Sequence, residues 1–178
     1  MVDGIAERAY VSVGANIEPE RNIIAGLRLL SRRVPIVALS SFYRTAAIGR
    51  PEQSDYLNGV IALDTALEPM VLKEEVLREV EHALGRVRSE DAYAPRPLDL
   101  DILLHGNRVF HGSGMTIPDP DIAVRPFLAA GLLELNPSLV LPGDGRRLAD
   151  CIEPGVIAAL KREEAFTRAL KESLNHES

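Results

Sequence analysis

The sequence predicts an α+β fold: a mainly antiparallel sheet with helices packed on it. Three observations carry this. Short runs of alternating apolar residues, bounded by turn residues, mark strands. Two longer stretches repeat their apolar residues at helical spacing. Strands and helices follow one another in the order β-α-β-β-α-β.

Residues 9–13 alternate and meet Gly14, which predicts a first strand ending at a turn. Pro19 then precedes Ile23, Leu27 and Leu30, a helix reaching about Arg33 with proline at its start. Residues 35–43 are rich in Ile, Val and aromatic side chains and read as a second strand. Gly49 and Pro51 place a loop at 45–55, and 56–64 read as a third strand. Pro69 opens a second helix with the stripe Leu72, Val76, Val80 and Leu84, and Gly85 ends it. A polar loop, 86–97, precedes a fourth strand at 98–104. This order is the ferredoxin-like core. Beyond it, Gly106-Asn107 predicts a hairpin turn into 108–110. Helices are expected at about 123–135 and 155–174, the last a mixed-charge solvated helix over a small apolar stripe.

At 178 residues the chain is read as one domain, 1–178. Its 46% hydrophobic and 26% charged residues are ordinary for a soluble protein. A net charge of −6 argues against a general nucleic-acid surface. No apolar run approaches the roughly 18 residues of a membrane span, and the start, with Asp3, Glu7 and Arg8, has no signal core. Cys151 is the only cysteine, so no internal disulfide forms; it is read as a small buried apolar residue. A cytoplasmic monomer is expected. The four histidines have no metal-ligand spacing and receive no role.

The chemistry concentrates in Pro95-Arg96-Pro97-Leu98-Asp99-Leu100-Asp101-Ile102. On a strand, Asp99 and Asp101 leave the same face. Carboxylates held about 5 Å apart repel by roughly 3 kcal/mol at an effective dielectric near 20. A cation should offset that, and Mg2+ takes hard oxygen ligands from one or two carboxylates, phosphate and water. Arg86, Arg88 and Arg96 flank the pair, and arginine forks suit phosphate. Taken singly, the arginines also read as solvated loop charges neutralised by Glu90 and Asp91. The sequence has neither G-x-x-x-x-G-K-[ST] nor G-x-G-x-x-G. Tyr56 and Asn58, two apart on a strand, offer a stacking face and a donor–acceptor edge for a heterocycle. Phe127 can supply a second face, although either aromatic also reads as core.

Together these segments, with Ser41-Phe42-Tyr43-Arg44-Thr45, resemble the hydroxymethyl-dihydropterin pyrophosphokinase family from about residue 10 to about 152. Residues 155–178 form a helical extension beyond it. The resemblance implies transfer of the terminal diphosphate of ATP to the hydroxymethyl group of 6-hydroxymethyl-7,8-dihydropterin, in folate biosynthesis, with release of AMP. It implies two Mg2+ ions on Asp99 and Asp101, bridging ATP, and loop arginines Arg86 and Arg96 acting in catalysis. Thr45, Ala46, Ile48, Tyr56, Asn58 and Phe127 would bind the pterin. Glu81, Arg88, Tyr93, Ile102, Thr116 and Arg125 would contact ATP. The sequence departs from the family pattern at Asp119, where histidine is usual, and at Arg78, Gly114, Tyr93 and Ala15. A carboxylate at 119 repels phosphate, so Asp119-Pro120 is read as a turn. Two other functions remain open: another Mg2+-dependent nucleotidyl or phosphoryl transferase, or a non-catalytic ligand-binding ferredoxin-like module.

Overall fold

The computed structural model describes residues 5–175. Asp3 and His176 lie outside the described residues. One antiparallel sheet organises the chain. In it β1 (Glu7–Ala15) lies between the edge strand β5 (Asp99–His105) and the central β4 (Tyr56–Thr65). Beyond β4 lie β2 (Ile36–Leu39) and β3 (Tyr43–Thr45), both paired to it. A separate hairpin joins β6 (Phe110–Gly112) to β7 (Met115–Ile117), and the sheet closes with β8 (Lys161–Arg162) on β3.

Helices cover both faces. Helix α1 (Pro19–Ser31) and helix α2 (residues 69–83) pack on one. Ile23, Leu27, Leu30, Leu72, Val76 and Val80 meet Val11, Val13, Leu57, Ile61 and Ile102 in the larger core. The middle of α2, Leu72–Leu77, is a wide π-type turn. On the opposite face, helix α3 (Pro126–Leu135) lays Leu128, Ala129 and Leu132 over Tyr10, Val60 and Ala62. Gly131 permits this approach: a Cβ there would stand 2.6 Å from Val60 Cγ2. All three helices begin on a proline, whose missing N–H costs nothing at a helix start.

The ferredoxin-like core matches the sequence expectation; five local readings need correction. Strand β1 continues through Gly14 to Ala15 rather than turning at Gly14. The single strand expected at 35–43 is two. The Ser40 hydroxyl takes up the Val60 N–H, and the Ser41 N–H goes to Glu134, so side chains interrupt the ladder. The turn at 106–107 forms, but β6 pairs forward with β7 instead of back onto β5. The helices expected at 123–135 and 155–174 are both broken. A 3-10 turn (Pro120–Ala123) precedes α3. The last segment divides into α5 (Pro154–Ala158), β8 and α6 (Glu164–Asn175), after the short α4 (Leu148–Cys151). Cys151 is half-buried, its Sγ facing the Arg147 carbonyl. No helix among the described residues is long and apolar enough to cross a membrane.

Helix α6 keeps the solvated outer face expected of it and packs inward through its apolar stripe, while β8 joins the C-terminal segment to the sheet. Phe166 meets Phe42 edge-on with ring centroids 5.4 Å apart, and Leu170 is fully buried. Glu163 accepts from Arg44 of β3 at 2.6 Å. Phe166→Ala should therefore cost about 3 kcal/mol of stability, read by denaturant unfolding; a loss below about 1 kcal/mol would mean that α6 is peripheral.

Candidate active site

The site lies at one end of the sheet, where strand register sets its width. Asp99, Gly14, Asn58 and Tyr43 stand in one row across β5, β1, β4 and β3. Asn58 Nδ2 donates to Thr45 Oγ1 at 2.7 Å, which fixes the orientation of the amide. Gly14 makes room for it, since a Cβ there would lie 2.7 Å from Asn58 Oδ1. Tyr56 shares the face of Asn58 by the two-residue period of β4. Burial raises its phenol pKa, while Arg96, Arg86 and Arg125 act on it electrostatically. Phe127 is half-buried at the start of α3, packed against the second core. Ala46 and Ile48 are exposed in the loop after β3.

The acidic side of the site is held by arginines. Asp99 accepts from Arg86 Nη1 on one oxygen and from Arg96 Nη1 on the other. Arg86 Nη1 also donates to Glu81 Oε1 at 2.8 Å and to the Leu98 carbonyl at 3.2 Å. Glu81 is 2% exposed. Its carboxylate accepts the Leu100 N–H and Arg88 Nη2, each at 2.8 Å. Burial pushes the Glu81 carboxyl up to about 6 against the pull of these partners. Glu90 and Asp91 do not neutralise this cluster: Asp91 pairs instead with Arg50 at 2.8 Å.

Asp101 differs from Asp99. Among the described residues no donor is hydrogen-bonded to its carboxylate. Burial, and then the charge of Asp99, push it up to about 6. Two hard-oxygen carboxylates, one unpartnered, suit a divalent cation that completes its shell with phosphate and water. Beside Asp101 lies a cleft of about 260 Å³ that also includes Lys73, Thr116 and Asp119. Asp119 Oδ1 caps the following turn through the Asp121 N–H, as a turn residue would. Ile102 borders the cleft, but its side chain belongs to the core between sheet and helices.

The arginine-bearing loop is tied to the loop after β3. Asn16 is the hub: its Oδ1 accepts the Arg96 N–H at 2.7 Å and its Nδ2 donates to Gln53 at 3.1 Å. Gln53 in turn donates to the Tyr93 carbonyl at 2.8 Å. The Tyr93 ring lies over Gly49, where a Cβ would approach within 3.0 Å. Tyr93 thus faces the loop after β3 and is not among the residues lining the cleft that holds Thr116. Arg125, also expected near the nucleotide, is paired with Asp121 at 2.9 Å. The sequence reading took Gly14 only as a turn, and Asn16 escaped it. A glycine at the end of an alternating run was the available signal for the first; a single asparagine in a turn gave none for the second.

The family model for 7,8-dihydro-6-hydroxymethylpterin-pyrophosphokinase (HPPK) matches residues 10–137. The chain belongs to this family. It is thereby a pyrophosphokinase. The 2-amino-4-hydroxy-6-hydroxymethyldihydropteridine pyrophosphokinase of Haemophilus influenzae is 38% identical over 137 residues, 75% of this chain and 84% of its own. The protein of the same name from Pseudomonas aeruginosa is 38% identical over 149 residues, 82% and 90% of the two chains. A Plasmodium falciparum HPPK-DHPS structure superposes with a TM-score of 0.67 at 11% identity, which shows a shared fold. That match covers 84% of this chain, which spans 41% of the longer one.

The close fit at Gly14 gives a local test. Gly14→Ala should eject the Asn58 amide from its bond with Thr45 while keeping the fold, at a cost of about 1–3 kcal/mol. Loss of the ordered Asn58 side-chain NH2 resonance would report it; an unchanged resonance would mean that the strands relax around the methyl.

Proposed function

We propose that the chain transfers diphosphate from ATP to the hydroxymethyl group of 6-hydroxymethyl-7,8-dihydropterin and releases AMP, within folate biosynthesis. The observation that carries this reading is the convergence of Arg86 and Arg96 on Asp99, in the same strand row as Asn58. A phosphate site and a heterocycle site thus adjoin. Tyr56 and Phe127 would stack on the two faces of the pterin, with Asn58 and Thr45 reading its edge and Ala46 and Ile48 bordering the ring. Glu81, Arg88, Thr116, Arg125 and the Ile102 backbone would meet the nucleotide, and Tyr93 would close the loop over it.

In the reaction the pterin hydroxyl oxygen bonds to the β-phosphorus of ATP. The bond from that phosphorus to the oxygen bridging to the α-phosphorus breaks, the hydroxyl proton is lost, and AMP departs. Such a transfer asks a protein mainly for alignment and charge neutralisation. Asp99 and Asp101 would hold two Mg2+ ions, which when bound would neutralise the triphosphate oxygens and help align them. Arg86 and Arg96 exchange Asp99 for phosphate oxygens as the loop closes, offsetting charge in the transition state and excluding water. A cytoplasmic monomer, as expected from the sequence, is part of this proposal.

Product analysis tests the reading. With ATP, Mg2+ and hydroxymethyl-dihydropterin, AMP should form only when pterin is present. ADP would indicate an ordinary kinase, and released pyrophosphate a nucleotidyl transferase. Asp99→Ala and Asp101→Ala should each lower kcat by at least about 100-fold with the fold retained. A binding module without chemistry would instead show no turnover and keep its ligand binding and biological activity in both variants. Arg86→Ala and Arg96→Ala should depress kcat by about 100-fold while the pterin Kd moves less than about threefold; equal losses would make the loop a scaffold.

The raised carboxyl of Asp101 also predicts a pH dependence. Its folded-state pKa, about 6, exceeds the ordinary 3.8, so its contribution to stability is full below the ordinary value and is lost as pH rises through about 6. A bound cation reverses that cost only once the proton has left. Apparent Mg2+ affinity should therefore weaken by about tenfold per pH unit below about 6, in titrations with a non-hydrolysable ATP analogue. Affinity independent of pH from 5 to 7 would contradict the role given to Asp101.

A further inference from the structure

The cleft beside Asp101 has an unusual balance of charge. Its lining includes Lys73, Asp101, Thr116 and Asp119, and among its described lining residues Lys73 alone is cationic. Lys73 stands on the wide π turn of α2, on a different element from the arginine loop. Its Nζ reaches across to the Gly114 carbonyl at 3.5 Å. The other cations nearby have carboxylate partners: Arg86 holds Glu81 and Asp99, and Arg125 holds Asp121. Among the described residues, no carboxylate lies in ion-pair contact with Lys73. Its charge nonetheless acts on both Asp101 and Asp119.

Asp119 is already committed. Its backbone N–H caps the Leu103 carbonyl at 2.9 Å, and Oδ1 accepts from the Asp121 N–H at 2.8 Å. Its charge must therefore stay beside any ligand that enters. An anionic phosphate in this cleft would face Asp119 beside Asp101, and no arginine of the loop is among the residues lining the cleft. An ammonium on a flexible stem, with three donors and only one long contact to give up, is suited to meet it.

We propose that Lys73 binds a phosphate oxygen of the nucleotide, so that α2 supplies the triphosphate with a cation independent of the arginine loop. The proposal rests on the pyrophosphokinase reading and assigns Lys73 to substrate binding. The competing role is structural, with Lys73 only neutralising Asp101 and Asp119.

Lys73→Met, Lys73→Arg, Asp119→Asn and the Lys73→Met/Asp119→Asn double variant separate the two. Binding of a non-hydrolysable ATP analogue with Mg2+ is followed by calorimetry, alongside the KM for ATP and the pterin Kd. Lys73→Met should raise the Kd and KM for nucleotide about tenfold, leave the pterin Kd unchanged and melt within a few degrees of the parent. Lys73→Arg should restore most of the affinity. The double variant should remain at least fivefold weaker than Asp119→Asn alone, because the phosphate contact is still missing. Nucleotide affinity unchanged in Lys73→Met, or recovered in the double variant to the level of Asp119→Asn, would overturn the proposal. Absence of pterin-dependent AMP from the unaltered enzyme would instead refute the reading beneath it, and the calorimetric comparison would still stand.

Discussion

Strand β5 lies at the edge of the sheet, and its outward backbone groups have no strand to pair with. Buried unpaired peptide groups are costly, about 1–3 kcal/mol each. The chain satisfies them from the site itself. Glu81 takes the Leu100 N–H, Arg86 donates to the Leu98 carbonyl, and the Asp119 N–H caps the Leu103 carbonyl. Sealing that edge therefore brings Glu81, Arg86 and Asp119 to the strand that carries Asp99 and Asp101. The same contacts that stop β5 from pairing with another chain assemble the electrostatic half of the site.

The opposite half follows from register. Gly14 sits between Asp99 and Asn58, and its missing side chain lets the Asn58 amide settle against Thr45. Helix α3 covers Val60 and Ala62, further along the Asn58 face of the same strand. The period of two along β4 thus passes from core to ligand wall within one strand. The loops above are joined through Asn16, which bonds to Arg96 on one side and Gln53 on the other. The arginine loop is consequently tied to the loop after β3. Arg96 cannot carry its backbone far from Asn16 without loosening Gln53 and, through it, Tyr93.

Much of this was legible in the sequence, for identifiable reasons. Proline at the start of α1 and α2 and the stripe Leu72, Val76 and Val80 made these two helices legible, because local preference and burial agree there. Asp99 and Asp101 were legible because alternation places both on one face whatever the partner. The break at Ser40-Ser41 was not, since it depends on Glu134, 93 positions away from Ser41. Strand β8 was hidden by charge. Lys161-Arg162 has a helical composition, yet β3 offers it an open edge. Asn16 and Lys73 carry no local pattern; only the folded geometry gives them neighbours.

Two carboxyls are both pushed to about 6, but their surroundings give them different roles. Glu81 is ringed by donors: Leu100, Arg86 and Arg88 hold it in place. Its raised pKa is the residue of a burial cost that these bonds only partly offset. Among the described residues Asp101 has no such donors and borders an open cleft, so the nearby charges of Lys73 and Arg86 offset its cost only in part. A buried carboxylate with every partner in place is structural, whereas one left without a donor beside a second carboxylate has a reserve of unsatisfied charge. That reserve is what a divalent cation would draw on. It also explains why the Asp99–Asp101 pair can stand on the edge strand at all: Arg86 and Arg96 cover Asp99 in the meantime, leaving Asp101 available.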